Sequence, residues 1–255
     1  MTRKGQTFEE AGVVASYVHR PPYPSALLDR LVAIAPAHNA LLDIGSGPGK
    51  ISRALSPVFS SVTAVDPSAN MIALGKSLPG AGGNVVWLES LAEDAPLEGR
   101  YDLTVAAASI HWMDHVRLFP KLQAHAAADH VFAVVSGDAP LDPPWEKDWQ
   151  AFLGRWVPFL TGKSLDPARW EREGNAFRIH IVARGDEDFV SDPFVQSVED
   201  FIACQHSRDT FAPSRLGVHS SRFDSELGEM LSPYANGGQL TFRTRSRLTW
   251  GSIAA

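Results

Sequence analysis

The stretch 43-DIGSGPG-49 determines the fold that we expect for this chain, because it stands between an apolar run and a helical pattern. Residues 40–44 are almost all apolar, as in a short buried strand, and residues 50–58 have the spacing of a helix. Glycine permits positive φ angles in a tight turn and lets a ligand approach the backbone closely. In an open α/β sheet, ligands bind at such a turn between a strand and a helix.

The segments that follow this loop repeat the same alternation. Strand patterns occur at residues 61–66, 85–90, 101–109 and 130–137, and helical patterns at residues 69–78 and 116–127. Alternation of this kind predicts parallel strands with helices on both faces of the sheet. The alternation ends after Asp138, where a proline-rich stretch begins.

We therefore divide one predicted domain, residues 1–255, into four segments. They are an N-terminal cap segment (1–39), a cofactor-binding core (40–138), a substrate cap region (139–235) and a final strand (236–255). The cap region is predicted to contain helices and loops around one extended piece. In the final segment, apolar and arginine side chains alternate over QLTFRTRSRLTW, which predicts a half-exposed strand at or near the sheet edge.

The composition limits the class of protein and of partner. With 44% hydrophobic and 20% charged residues, the chain is an ordinary globular protein. Its formal net charge of −6 argues against nucleic acid or an anionic membrane as partner and favours a small molecule. Cys204 is the only cysteine, so we expect neither a disulfide within the chain nor a cysteine-based zinc site, and no metal.

The length of the apolar runs bears on the location. None approaches the roughly 20 residues that span a membrane, and the N-terminus has no apolar signal segment, so we expect a cytoplasmic protein without a membrane partner. Neither heptads nor a long exposed strand indicates a partner chain, which leaves a monomer and a homodimer open.

An acidic residue, Asp66, ends the second predicted strand. In doubly wound folds an acidic residue in this place accepts hydrogen bonds from ribose hydroxyls, so the two motifs together predict an adenosine-containing ligand. The G-x-G-x-G spacing lacks the wider last gap of the dinucleotide fingerprint, and Asp43 would repel a pyrophosphate. A P-loop is excluded because Ile44 stands where that motif needs glycine.

The ordered series LLDIGSGPG (41–49), AVDPSANM (64–71), AEDAPL (92–97) and YDLTVAAASIHW (101–112) resembles the motifs of class I S-adenosylmethionine-dependent methyltransferases. It is similar to the type 11 branch with the trans-aconitate methyltransferases, in which a His-Trp pair follows the fourth strand. The resemblance implies an α/β fold with a Rossmann-like, doubly wound, mostly parallel seven-stranded sheet, helices on both faces and a helical cap insertion. It also implies S-adenosylmethionine as cofactor, with S-adenosylhomocysteine as product.

The same resemblance implies residues for the cofactor site. Gly45, Ser46 and Gly47 would line the methionine part, Asp43 would meet its ammonium group, and Asp66 would accept hydrogen bonds from the ribose. The other implied cofactor residues are Tyr17, Arg20, Pro67, Met71, Leu91, Ala92 and Ala108.

The adenine part of this site departs from the family pattern. Leu91 stands where relatives often carry an aspartate for the adenine amino group. This leaves backbone and apolar contact, or the Glu93 carboxylate, to recognise the adenine edge. For Tyr17, plain packing is the alternative interpretation.

The chemistry of methyl transfer asks for an aligned acceptor in a dry site, and for a base only when the acceptor is protonated. His111, after the fourth predicted strand, is the candidate base, and the alternative is a loop histidine that only holds the turn. Its neighbour Trp112 would form a wall of the acceptor pocket. His115 is interpreted as the start of a helix.

The cap region supplies the other candidate acceptor residues. Trp145 and Trp149 belong to a dense group of tryptophans that lines a pocket or packs the cap. His206 and Arg208 fall near the end of a predicted helix, where Arg208 could pair with a carboxylate or remain solvated.

Three hypotheses about function remain at this point. The first is O-methylation of a carboxylate or hydroxyl on a metabolite or natural product. The second is a non-catalytic protein that binds S-adenosylmethionine. The third, an NAD(P)-dependent oxidoreductase, is disfavoured by the loop spacing and by Asp43.

Overall fold

The computed structural model describes residues 5–254, and we number its strands and helices in chain order. The strands are β1 Ala40–Ile44, β2 Ser61–Asp66, β3 Val85–Glu89, β4 Tyr101–Ala107, β5 Ala126–Ser136, β6 Ile181–Val190, β7 Phe194–Ser197, β8 Gln239–Phe242 and β9 Arg245–Ile253. The α-helices are α1 Ala11–Ser16, α2 Ser25–Ile34, α3 Lys50–Leu55, α4 Ala69–Ser77, α5 His115–Ala124, α6 Glu146–Thr161, α7 Pro167–Gly174, α8 Val198–His206, α9 Pro213–Leu216 and α10 Ser220–Leu231. Residues 1–4 and 255, which belong to the predicted N-terminal cap segment and final strand, lie outside the described residues.

A seven-stranded sheet organises the larger of two compact units, which contains residues 22–137, residues 171–189 and the chain from Arg245 on. The strand order is β3-β2-β1-β4-β5-β9-β6. The pairs β1–β2, β1–β4, β2–β3 and β4–β5 are parallel, whereas β5–β9 is antiparallel. The order reverses between β1 and β4, so the carboxyl ends of these strands open a crevice that can receive a ligand. The predicted doubly wound, mostly parallel sheet is confirmed.

At the centre of this sheet both faces are buried: successive side chains of a strand point to opposite faces, and in β1 nearly all of them are buried. In β1, Leu41 packs in a cluster that contains Leu27 and Leu31 of α2. Leu42 packs in another cluster, which contains Leu118 and other residues of α5. Helices therefore cover the sheet on two sides, as the alternation of strands and helices predicted.

The smaller unit contains the described chain up to Pro21 together with residues 138–170 and 190–244. An aromatic cluster forms its core, with side chains from α6, α8 and α10. Strands β7 and β8 pair antiparallel beside this cluster, with Phe194 opposite Phe242. We describe each unit by itself.

The prediction of one strand over the alternating segment QLTFRTRSRLTW, residues 239–250, is wrong. The segment forms two strands, β8 and β9, which belong to different sheets. Leu240 packs in the aromatic cluster of the smaller unit, whereas Leu248 packs in the cluster between the large sheet and α2. Alternation specifies which side chains are buried, but it does not specify the partner strand. The near-edge position holds for β9, which lies between β5 and the edge strand β6.

The extended piece predicted inside the cap region is β6. It belongs to the larger unit as an edge strand of the large sheet, so residues 139–235 are divided between both units. The predicted N-terminal segment is divided as well, because α2 packs on the sheet while the chain up to Pro21 belongs to the smaller unit. Among the described residues, no helix has the length and apolar character to cross a membrane.

Candidate cofactor and acceptor sites

The glycine loop between β1 and α3 is a tight turn of the backbone. Gly45, Gly47 and Gly49 have φ angles of 62°, 54° and 70°. Residues with a β-carbon rarely adopt such positive values. A β-carbon on Gly45 would lie 2.4 Å from the Ser109 β-carbon, and one on Gly49 would lie 2.4 Å from the Trp87 ring. Glycine at these two positions is thus required by the protein's own packing, in addition to any ligand.

Asp66, at the carboxyl end of β2, fixes this loop. Its Oδ2 accepts a hydrogen bond from the Gly47 N–H at 2.8 Å, and its Oδ1 accepts one from the Ser68 N–H at 2.9 Å. A carboxylate offers about four acceptor positions. Holding the loop is therefore compatible with the predicted role of accepting hydrogen bonds from a ribose.

Asp43, in β1, is a buried carboxylate whose Oδ1 has no hydrogen-bond partner among the described residues. Its Oδ2 accepts hydrogen bonds from the Ser52 N–H at 3.1 Å and from the Ser52 hydroxyl at 2.6 Å. Burial raises the pKa of Asp43 to about 6; the bonds from Ser52 lower it in part, and the charge of Asp66 raises it. An unsatisfied buried oxygen costs free energy, so a cationic donor that reaches the Asp43 Oδ1 would remove this cost.

Pro67 and Met71 follow β2 at the start of α4. Ser68 caps this helix, because its hydroxyl accepts a hydrogen bond from the Met71 N–H at 3.1 Å. Met71 is buried and Pro67 is half-buried. The cap therefore fixes the first turn of α4, which carries Met71 and closely follows Asp66. The contact of Met71 with adenine stays a prediction.

The segment after β3 carries Leu91 and Ala92, the residues predicted at the adenine edge. Ala92 is buried and Leu91 is half-buried. The Glu93 carboxylate accepts a hydrogen bond from the backbone N–H of Asp114, the N-cap of α5. Glu93, the alternative partner for adenine, thus ties this segment to the loop after β4.

The loop after β4 begins with a strained residue. Ala108 has a φ angle of 53°, which is uncommon for a residue other than glycine and often marks a functional site. Its N–H donates to the Val135 carbonyl at 2.8 Å, and the Ser109 hydroxyl donates to the Ile44 carbonyl at 2.7 Å. The first bond holds the loop to β5, and the second holds it to the end of β1, next to the glycine turn. No local sequence pattern signalled this conformation of an alanine.

His111 and Trp112 belong to the one-turn 3-10 helix Ile110–Trp112 in the same loop. Their rings pack with centroids 4.5 Å apart, and both side chains are partly buried. His115, the first residue of α5, donates from Nε2 to the Ile110 carbonyl at 2.9 Å. His115 therefore helps to hold this turn, and both roles considered for His111, base and turn-holding residue, stay predictions.

The smaller unit contains a cavity of about 330 Å³. Its walls are mostly apolar and aromatic, with a few polar side chains. The lining residues are Ala139, Pro140, Pro143, Trp145, Glu146, Trp149, Gln150, Leu153, Val157, Trp170, Phe201, Gln205, Arg208, Thr210 and Phe211. A volume in this range suits a small organic molecule.

Three of the predicted acceptor residues, Trp145, Trp149 and Arg208, line this cavity. The fourth in the cap region, His206, does not. Its Nδ1 lies 3.1 Å from the Phe211 carbonyl oxygen and its Nε2 lies 2.8 Å from the Asp224 carboxylate. His206 thus connects elements of the smaller unit.

Tyr17 and Arg20, predicted at the cofactor, belong to the smaller unit. The Arg20 Nε and Nη2 donate to the Ser207 hydroxyl and carbonyl oxygens, each at 2.7 Å. The Arg20 guanidinium also lies 4.4 Å from the centre of the Tyr17 ring. These contacts fasten the N-terminal segment to the end of α8.

The predicted site residues thus fall into two groups. The cavity of the smaller unit brings together the two tryptophans and Arg208, with Tyr17, Arg20 and His206 elsewhere in that unit. The larger unit places the others at or just after the carboxyl ends of β1 to β4, namely Asp43, Gly45, Ser46, Gly47, Asp66, Pro67, Met71, Leu91, Ala92, Ala108, His111 and Trp112.

Comparison with known proteins agrees with the larger unit's geometry. Residues 41–129 match the family model of a methyltransferase domain. CRG1 of Saccharomyces cerevisiae, named as an S-adenosylmethionine-dependent methyltransferase, is 27% identical over 120 residues, which are 45% of this chain and 41% of that protein. The methyltransferase Mb3374 of Mycobacterium bovis is 32% identical over 124 residues, which are 48% of this chain and 49% of that protein. The match thus spans less than half the length of these curated relatives.

Solved structures extend the similarity of fold to most of the chain. A protein of Anaeromyxobacter dehalogenans, named as a type II methyltransferase, has a TM-score of 0.70 and 24% identity, over 92% of this chain and 98% of that one. A methyltransferase from an antibiotic biosynthesis pathway of Anabaena variabilis has a TM-score of 0.53 and 19% identity, over 91% of this chain and 98% of that one. Residues 41–129 therefore form part of a methyltransferase domain whose cofactor is S-adenosylmethionine, and most of the chain has the fold of solved methyltransferases.

Proposed function

We propose that this protein transfers a methyl group from S-adenosylmethionine to an oxygen of a small molecule, either a carboxylate or a hydroxyl. The observation that carries the cofactor part is the Asp43 Oδ1, a buried carboxylate oxygen without a partner among the described residues, in the strand that leads into the glycine loop. A charged amino group satisfies such an oxygen, whereas a pyrophosphate would be repelled by it. This supports S-adenosylmethionine over a dinucleotide.

The residues of the larger unit divide the binding task. The positive φ angles of the loop leave the strand-to-helix turn open to close approach by a ligand. Asp66 holds Gly47, and we assign its remaining acceptor positions to the ribose hydroxyls. Bound S-adenosylmethionine supplies an electrophilic methyl group on a positively charged sulfur.

The acceptor part of the proposal rests on the cavity of the smaller unit. Its volume of about 330 Å³ and its aromatic lining suit a small organic molecule. A carboxylate, with a reference pKa near 4, is ionised at neutral pH and needs no base. A hydroxyl acceptor needs one, and His111 is the residue that we assign to that role.

The experiment that tests this function is the transfer of label from methyl-labelled S-adenosylmethionine to small-molecule extracts and to a panel of hydroxy and carboxylic acids. We expect a labelled, extractable product together with one equivalent of S-adenosylhomocysteine. Binding of S-adenosylmethionine without turnover on any acceptor would favour the non-catalytic alternative. A product methylated at nitrogen or carbon would refute the oxygen acceptor.

The oxidoreductase alternative is tested with the same protein. Calorimetric titration with S-adenosylhomocysteine and with NAD(P) should show binding of the first alone. Binding of NAD(P) with comparable affinity would contradict the proposed cofactor.

A further inference from the structure

We propose that the cavity of the smaller unit binds a flat, apolar molecule that carries one carboxylate, and that Arg208 recognises this carboxylate. The inference rests on the methyltransferase function proposed above and names the class of its acceptor. Three features of the cavity carry it: the rigidity of its aromatic walls, the geometry of Arg208 and the charges of its lining.

The aromatic walls are held from behind by other rings. Trp149 stacks on Phe152 with centroids 5.7 Å apart and an angle of 12° between the planes. Trp145 is almost completely buried and packs edge-on against Phe201 and Phe242, with centroids 5.9 Å and 5.8 Å away. Because these rings are fixed before a ligand arrives, the cavity offers preformed apolar surfaces to a flat molecule.

Arg208 is held so that one end of its guanidinium remains available. Its Nε donates to the Gln205 Oε1 at 3.1 Å, and its Nη2 donates to the Asp138 Oδ1 at 3.1 Å. The Arg208 Nη1 donates to no acceptor among residues 5–254. The Arg208 side chain lines the cavity and is 30% exposed. A guanidinium fixed by two bonds offers its remaining donors to a carboxylate with little further loss of freedom.

The charge on Arg208 is secure. Burial lowers the pKa of its guanidinium, but the Asp138 carboxylate outweighs this effect, so the pKa lies above its usual value. Arg208 therefore stays protonated at every pH at which the protein would be assayed.

The remaining polar groups of the lining restrict the ligand to one anionic group. The Gln205 Nε2 donates a hydrogen bond to the Phe201 carbonyl oxygen at 3.1 Å, and its Oε1 accepts one from Arg208. Gln150 donates to the Glu146 carboxylate at 2.8 Å. Arg208 is the one cationic side chain among the described lining residues, and Glu146 would repel a second anionic group.

The test compares flat aromatic acids with their neutral amides. Benzoate, 2-naphthoate and anthracene-2-carboxylate, each with the corresponding amide, are titrated into the full chain at pH 7.5 by calorimetry and by quenching of tryptophan fluorescence. We expect at least one acid to bind about tenfold or more tightly than its amide, because a charge-assisted hydrogen bond distinguishes the two. Equal binding of every acid and its amide to the unmodified protein would overturn the proposal.

Variants identify the residue responsible. Arg208→Met should reduce the ratio of acid to amide affinity to about one and leave the amide affinity within about twofold. Arg243→Met is the matched control, because Arg243 is exposed in the same unit and does not line the cavity; it should leave the ratio unchanged. A ratio that survives Arg208→Met would refute the assignment.

Folding and function are separated from this result by two further measurements. If thermal melting shows that Arg208→Met does not fold, Arg208→Lys replaces it, since lysine keeps the charge beside Asp138 but lacks the Nη1 donors; the ratio should then fall at least about threefold. Titration of the same samples with S-adenosylhomocysteine reports on the cofactor site alone. If the unmodified protein prefers the acid over its amide but does not bind S-adenosylhomocysteine, the proposed function is contradicted. If the unmodified protein transfers methyl groups but binds acid and amide equally, only the carboxylate inference is contradicted.

Discussion

The glycine loop and the tryptophan-lined cavity are built in different ways. Main-chain atoms and short side chains form the loop, which is held by bonds such as that from the Gly47 N–H to Asp66. Large side chains form the cavity, and they are held mainly by ring packing. Backbone geometry tolerates few substitutions, whereas the walls of a cavity can be exchanged one side chain at a time. A site built from backbone, such as the loop, therefore suits a ligand that stays the same during evolution. A site built from large side chains, such as the cavity, suits a ligand that changes.

The largest effect expected concerns catalysis and not binding. For a hydroxyl acceptor, His111→Ala should lower turnover by about 10²- to 10⁴-fold, and the rate of the unmodified protein should rise with pH as an imidazole loses its proton. For a carboxylate acceptor the loss should be small and almost independent of pH above about 5. A pH–rate profile of both proteins on the identified acceptor distinguishes these outcomes. A large loss on a carboxylate would contradict this division of roles.

The rigidity of the glycine loop can be measured through stability. Gly45→Ala should lower the free energy of unfolding by about 2–5 kcal/mol, because it adds strain at positive φ and an overlap with Ser109. Gly99→Ala is the matched control, since Gly99 has a φ angle of 71° with nothing within 4 Å of the added carbon. It should cost only about 1 kcal/mol in urea unfolding. Equal costs would mean that the loop tolerates the overlap.

The contribution of Asp66 tests the ribose contact. Asp66→Ala should weaken the binding of S-adenosylhomocysteine by roughly 1.5–3 kcal/mol, since charge-assisted hydrogen bonds are lost. The control is Asp129→Ala, at an exposed position of the larger unit, which should leave the affinity unchanged. Calorimetry on both variants decides, and unchanged affinity in the Asp66 variant would contradict the ribose contact assigned to Asp66.

The raised pKa of Asp43 predicts a pH-dependent affinity. In the unfolded chain this carboxyl ionises near 3.8, but in the folded protein it stays protonated up to about pH 6. The free energy of unfolding of the cofactor-free protein should therefore fall as the pH rises from about 4 to about 6. A positively charged amino group favours the ionised form, so the affinity for S-adenosylhomocysteine should rise about tenfold from pH 5 to pH 7.

Asp43→Asn is the control for this pH dependence, because an amide does not titrate. Its affinity for S-adenosylhomocysteine should be lower at pH 7 and flat over the same range. A tenfold rise that persists in this variant would assign the proton to another group.

The smallest effect is expected at the cavity wall. Trp149→Leu removes the stack on Phe152 but keeps an apolar side chain, so it should lower the free energy of unfolding by only about 1 kcal/mol. Urea unfolding beside Gly45→Ala shows whether cavity walls are more easily exchanged than the loop. A cost above that of Gly45→Ala would reverse the comparison.

Local patterns predicted the parts of the fold that depend on neighbours in sequence. The glycine turn and Asp66 at the end of β2 lie within one strand–helix–strand unit, where short-range geometry is decisive. The placement of β6 and the division of residues 239–250 into two strands depend on which distant strand pairs with which. Periodicity does not encode that choice.

The sequence by itself determined the α/β class, the glycine loop and the adenosine-type ligand, because strand periodicity, φ > 0 at glycine and a carboxylate at a strand end are local properties. Tertiary structure decided that Ala108 is strained, that Asp43 keeps an oxygen without a partner among the described residues, and that Arg208 reaches Asp138 from 70 residues away in the chain. Burial and charge pairing depend on contacts between distant segments. They exist only once those segments have packed together.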